Sequence, residues 1–157
     1  MKLREIQKSD CAFINRVRNH ESTRSVLSNT SEFTLEQTEA WFDATDPKWY
    51  IIVNDDNENV GYIRTDDDTK TSVQIGADVD PNHRRRGYAR WGYDEFFQRL
   101  KDQGYDNVHT EVLTTNEAAL ATYKSIGFEV ERTLINGTPP REVYNMVLQL
   151  KDFSKRK

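Results

Sequence analysis

Hydrophobic positions change period several times along the chain, and each change marks an element. Lys2 to Gln7 reads as a short opening strand, and Ser9-Asp10 then offers a helix cap ahead of Phe13, Ile14 and Val17, which recur at helical spacing. Thr34 with Gln37 three residues on makes a capping-box pattern, and Trp41 and Phe42 supply the buried stripe of a second helix. The runs 49–54, 60–65 and 71–79 are rich in β-branched and aromatic residues and are separated by the polar turns DDNEN and DDDTK. They predict three strands in an antiparallel meander.

After Pro81 the helical period returns through Tyr88, Trp91, Phe96 and Leu100, with Gly104 as the stop of a central helix. Asn107 to Leu113 reads as a strand, Asn116 to Ile126 as a helix closed by Gly127, and Phe128 to Ile135 as another strand. The loop NGTPP follows, Arg141 to Leu150 completes the sheet, and the tail KDFSKRK is expected to fray because it has little to bury. These elements predict one domain over 1–157 of the α+β class, with a mixed, largely antiparallel sheet. The sheet has about seven strands and is flanked by about four helices, in the order β-α-α-β-β-β-α-β-α-β-β, with parallel pairing where helices connect strands.

Composition narrows the function. The net charge is -4 and the pI about 5.4, which argues against a nucleic-acid partner, because affinity for phosphate backbones needs clustered positive charge. Cys11 is the only cysteine, so no intrachain disulfide can form and a reduced cytoplasm is the expected setting. No apolar run approaches the ~20 residues that cross a bilayer. His20, His83 and His109 stand far apart without metal-ligand spacing, and no metal is expected.

The stretch VDPNHRRRGYA, from Val79 to Ala89, runs from a strand into the central helix. The first amides of a helix have no partner within it, and the macrodipole adds partial positive charge there, so this turn suits an anion such as a pyrophosphate. Gly87 and Ala89 leave room for a phosphate oxygen, and Arg84, Arg85 and Arg86 bring charge to the rim. A solvated basic helix start is the plainer alternative. Downstream, Asn116 reads as a helix cap.

Arg84-x-x-Gly87-x-Ala89 after a strand is similar to the coenzyme A loop of the GNAT superfamily of N-acetyltransferases. Asn116-x-x-Ala119-x-x-x-Tyr123-x-x-x-Gly127-Phe128 resembles that superfamily's other signature, and the order of elements agrees up to Leu150. The resemblance implies a GNAT-like three-layer fold and an enzyme that moves the acetyl group of acetyl-coenzyme A (acetyl-CoA) to a primary amine through a ternary complex. It implies that strands 71–79 and 107–113 splay, with the pantetheine arm between them near Val79 and the Ala77 N–H directed at the thioester carbonyl. Ala77, Val79, Arg84, Arg85, Arg86, Gly87, Tyr88, Ala89 and Asn116 then hold acetyl-CoA. Tyr123 protonates the departing thiolate, or else packs with Leu120 in the core.

Many relatives carry a glutamate near the start of the strand before the phosphate loop, where this chain has Val73 and Gln74, which do not titrate. Glu111 and Asp78 are the nearby candidate bases, with structural ion pairs or a water chain as the alternatives. The missing glutamate also keeps open a non-catalytic acetyl-CoA binding module, which the retained Tyr123 disfavours. The first helix pair should face the acceptor. The run Arg16-Val17-Arg18-Asn19, Arg24 and the 35–42 helix with Trp41 resemble members acting on nucleotide-linked amino sugars or protein N-termini. The three arginines meet a nucleotide diphosphate or else pair with Glu21 or Glu36. A small-molecule amine is expected ahead of a protein acceptor, with no membrane partner. A homodimer is raised because dimers are common among such enzymes.

Overall fold

The computed structural model describes residues 1–66 and 69–156. Asp67 and Asp68 of the DDDTK turn, and Lys157 at the end of the tail, lie outside the described residues. The chain forms β1 (Lys2–Glu5), α1 (Cys11–Asn19), α2 (Glu21–Arg24), α3 (Leu35–Thr45), β2 (Tyr50–Val53), β3 (Asn59–Asp66) and β4 (Ser72–Val79). It continues with α4 (Tyr88–Asp102), β5 (Asn107–Leu113), α5 (Glu117–Ile126), β6 (Glu129–Asn136) and β7 (Arg141–Gln149). The added helix relative to the sequence pattern is α2, one turn of ESTR too short and too polar to leave a hydrophobic period. The capping box at the start of α3 is present as read: Thr34 Oγ1 accepts from the Gln37 amide, and Gln37 Oε1 accepts from the Thr34 amide.

The strands make one seven-stranded sheet in the order β1-β2-β3-β4-β5-β7-β6. Every neighbouring pair is antiparallel except β4 with β5. Alternation along the strands assigns the two faces. Ile52, Ile63, Val73, Ile75, Val108, Met146 and Leu148 pack against Tyr93, Phe96, Phe97 and Leu100 of α4 and Tyr123 of α5. The intervening residues Ile51, Val53 and Tyr62 turn to the other face and meet Ile14 and Val17 of α1. Helices on both faces of a mixed sheet form three layers.

The tail departs from the expectation of fraying. Leu150–Asp152 forms a 3-10 turn, and Phe153 is only 2% exposed, set edge-on to Phe97 at 5.8 Å between ring centres. Lys101 Nζ donates to the Phe153 carbonyl at 2.7 Å, and Arg156 Nε reaches the buried carboxylate of Asp94 at 3.1 Å. One aromatic ring in a charged heptapeptide gives no periodicity, yet it finds a gap at the end of α4. Phe153→Ala should cost about 3–5 kcal/mol, the range for emptying a buried phenylalanine site. Denaturant unfolding measures this, and a loss below about 1 kcal/mol would mean that the tail is not part of the core.

Candidate active site

The parallel pairing of β4 with β5 stops early. Registered partners run from Ser72↔Asn107 to Gln74↔His109, after which the strands part while β4 continues to Val79 and β5 to Leu113. On its other edge β4 stays paired with β3 through Gly61↔Val79. The Asp80 amide donates to the Val60 carbonyl at 2.8 Å, which fixes the phase of that ladder. In an antiparallel pair, bonded and non-bonded residues alternate, so Asp78 and Gly76 bond to β3 while the amides of Ala77 and Val79 point away from it into the opening.

The opening widens into a cleft of about 520 Å³ between β4, the N-terminus of α4 and α5. Ala77, Val79, Arg84, Arg85, Gly87, Tyr88 and Ala89 line it, with Asn116 and Tyr123 opposite. Thus nine of the ten predicted residues, leaving Arg86, border one space. Arg86 is exposed and does not line the cleft. The helix does not start at Pro81: Pro81–His83 is a 3-10 turn, and α4 begins after a further loop. Within that loop Arg85 has φ of 63° and Gly87 φ of 79°. A Cβ at Gly87 would meet nothing within 4 Å, so the protein needs glycine there for its left-handed backbone while the space above stays open. Gly87 has no side chain to cap α4, and the first turn carries no acidic residue, so its leading amides are left without a capping side chain.

Arg84 has a different role from the rim charge expected of it. Its Nε donates to the Val79 carbonyl at 3.2 Å, and its terminal nitrogens donate to Ser22 Oγ at 2.6 Å and Thr23 Oγ1 at 2.8 Å. The guanidinium thereby ties the loop to β4 and α2, while Arg85, which also lines the cleft, has no such anchor among the described residues. Ser22 and Thr23 were not predicted, because nothing in ESTR distinguishes an anchor from a surface turn.

Asn116 accepts from the Ala119 amide at 3.3 Å and so caps α5, as read. Tyr123 is 6% exposed, packed in the core, and its hydroxyl lies 2.8 Å from that of Tyr93. The ring is buried, as the core reading has it, and the residue still borders the cleft. Tyr93 was missed, since it looks like any aromatic on a core helix face. Burial, then the neighbouring Tyr123 hydroxyl, pushes its pKa well above the ordinary phenol value and keeps it protonated.

On the opposite side of β4, a second cavity of about 390 Å³ lies under α1, α3 and the loop between α2 and α3. Trp41 and Trp49 meet there at 4.6 Å between ring centres, and Trp49 stacks on Tyr62 at 5.4 Å. Asp78 borders both this cavity and the cleft. Its Oδ2 is 3.1 Å from Arg64 Nε, an ion pair without hydrogen-bond geometry, which leaves both atoms buried without a hydrogen-bond partner among the described residues. Burial alone would lower the pKa of Arg64, but Asp78 outweighs it and holds the guanidinium charged. Arg64 lies flat over Gly76, where a Cβ would come within 2.4 Å of its Nη2.

Glu111, the other candidate base, is not brought to the cleft. It borders a separate polar hollow of about 440 Å³ with Gln74 and His109, and accepts from Asn136 Nδ2 at 2.7 Å. Arg16 and Arg24 are likewise engaged, with Asp80 at 2.9 Å and Glu32 at 3.6 Å in place of Glu21 or Glu36. Only Arg18 of the three borders the second cavity.

Residues 14–128 match the acetyltransferase (GNAT) family, and the chain belongs to it. It is an acetyltransferase, with acetyl-CoA as the cosubstrate. No curated protein sequence matches the chain. Among solved structures the fold is shared with yncA from Salmonella typhimurium, described with its cofactor acetyl-CoA. That likeness has 20% identity and a TM-score of 0.80 over 100% of this chain and 98% of that one. Spermidine N-acetyltransferase from Vibrio cholerae, in complex with CoA and spermine, superposes with a TM-score of 0.85 at 17% identity, over 96% and 95%. Ribosomal-protein-alanine N-acetyltransferase from Brucella melitensis gives 0.78 at 17% identity, over 95% and 99%.

Among the described residues no group of histidine, cysteine and carboxylate side chains could hold a metal ion, and no helix is long and apolar enough to cross a membrane. Arg84→Ala removes three contacts of one charged group and should weaken acetyl-CoA binding by about 1.5–3 kcal/mol through loss of the loop's shape. Titration calorimetry reads this, and unchanged affinity would mean that the loop needs no anchor.

Proposed function

We propose that the chain acetylates the primary amine of a small molecule that enters through the cavity under α1 and α3, with Asp78 as the group that receives the amine. The supporting observation is that this buried carboxylate borders both spaces and has an oxygen without a hydrogen-bond partner among the described residues. An unsatisfied buried acceptor costs about 1–3 kcal/mol, a cost that an incoming ammonium offsets.

The residues present fit acetyl-CoA along the cleft. The leading amides of α4, with Gly87 beneath and Arg85 beside them, receive the pyrophosphate. The Val79 amide pairs with the pantetheine arm, its carbonyl being held by Arg84. The Ala77 amide donates to the thioester oxygen, where negative charge grows as the amine attacks, and a positioned donor of this kind is worth about 2.7–4 kcal/mol. When bound, acetyl-CoA supplies the activated carbonyl and a thiolate leaving group.

Asp78 takes one proton from the acceptor ammonium, freeing the lone pair that forms the new C–N bond. Tyr123 gives its phenolic proton to the sulfur as the C–S bond breaks, and the second amine proton, shed as the amide forms, restores the phenol; the Tyr93 hydroxyl lies 2.8 Å from that of Tyr123. Arg64 Nε stands 3.1 Å from the same carboxylate as Asp78 presents to the amine. A cytoplasmic setting suits a chain whose one cysteine, Cys11, is buried and unpaired.

Tyr123→Phe should lower turnover by about 100-fold or more while leaving acetyl-CoA affinity close to that of the parent. Thiol release in steady state together with calorimetry measures both, and an unchanged rate would remove Tyr123 from the mechanism.

A further inference from the structure

Arg18 stands apart from the other arginines of α1, α2 and the second cavity. Arg16, Arg24 and Arg64 each face a carboxylate, whereas Arg18 makes no ion pair among the described residues. Nothing about it is loose. One terminal nitrogen donates to the Ser31 carbonyl at 2.7 Å, the other to the Asn29 carbonyl at 3.0 Å, and the guanidinium lies 4.2 Å from the centre of the Phe33 ring. Burial pushes its pKa below the ordinary arginine value, with Tyr62 and Asp78 opposing that and Arg64 adding to it. A guanidinium has five N–H donors, and the two carbonyl bonds leave others for a ligand. Arg18 borders the same cavity as Asp78, Asp66 and Arg64, so the space has a carboxylate at its junction with the cleft and, elsewhere on its wall, a fixed guanidinium without an ion pair among the described residues. Trp41, Trp49 and Tyr62 line the same cavity.

We propose that the acceptor is an amino carboxylate of amino-acid size with an apolar or aromatic body, and that Arg18 is the specificity-determining residue that receives its carboxylate. This rests on the acetyl-transfer reading of the cleft and adds the acceptor's class to it. The planar fork of an arginine matches a carboxylate in a way that a solvated lysine does not, and two carbonyl anchors with an aromatic ring hold the fork in place before the ligand arrives. A polyamine would bring a further ammonium against Arg18 and is disfavoured. A nucleotide diphosphate lacks its receptors, because Arg16 and Arg24 are committed to Asp80 and Glu32.

The test is binding, read by calorimetry on the CoA-saturated protein, of L-phenylalanine and L-leucine, each against its primary amide, and of spermidine. At least one amino acid should bind about tenfold or more tightly over its amide, the loss expected for a charge-assisted contact. Arg18→Gln should erase that preference, Arg18→Lys should keep part of it, and both should leave acetyl-CoA affinity unchanged. Equal binding of acid and amide, a preference for spermidine, or no binding by any of these compounds overturns the proposal, without need of a variant. Thiol release with the same compounds separates the two layers. Carboxylate-selective binding without thiol release leaves the Arg18 site standing and defeats acetyl transfer, whereas thiol release indifferent to the carboxylate defeats the Arg18 proposal alone.

Discussion

The site depends on a ladder that ends. β4 and β5 share only three registered pairs, and beyond Gln74↔His109 the inner edge of β4 has no strand beside it. A backbone edge left unpaired in the interior of a sheet is costly unless something satisfies it. Here it presents the amides of Ala77 and Val79 to a cleft lined by a helix N-terminus and the two signature segments. The rest of the molecule holds that edge in place. β3 keeps β4 registered through Val79, Arg84 fastens the chain just after it, and the core under α4 fixes the helix whose first turn faces the same space.

Charge is sorted by burial and partner more than by position in sequence. The triplet Arg84-Arg85-Arg86 divides into an anchor, a cleft-facing cation and a solvated one. The arginines of the N-terminal helices divide in the same way, with Arg16 held by Asp80 and Arg18 by two carbonyls and the Phe33 ring. Burial alone would raise the pKa of Asp80, yet the hydrogen bonds from Arg16 and the Asn82 amide bring it below the ordinary carboxylate value. That pair is structural. Asp78, by contrast, keeps an oxygen without a hydrogen-bond donor among the described residues.

Much of this was legible in the chain because it rests on local rules. The Thr34 capping box, the Asn116 cap, the glycine before α4 and the two signature spacings are short-range patterns, and each occupies its expected place. The splay of β4 from β5 followed from resemblance, since periodicity carries no information on where pairing stops. What escaped depends on residues distant in sequence. Ser22 and Thr23 matter because Arg84 reaches back to them, Tyr93 because Tyr123 lies across the cleft floor, and Phe153 because Phe97 offers it a face. Glu111 and Asp78 looked equivalent along their strands. They separate only once the sheet shows that Glu111 opens onto another hollow.

Residue-resolved amide hydrogen exchange by NMR, with and without acetyl-CoA, tests the central claim directly. The amides of Ala77 and Val79 should exchange faster than those of Gly76 and Asp78, which bond to β3, and should become protected when acetyl-CoA is added. Binding of acetyl-CoA with no change in protection at Ala77 and Val79 would contradict the account, because the opened edge of β4 would then have no part in holding the acetyl donor.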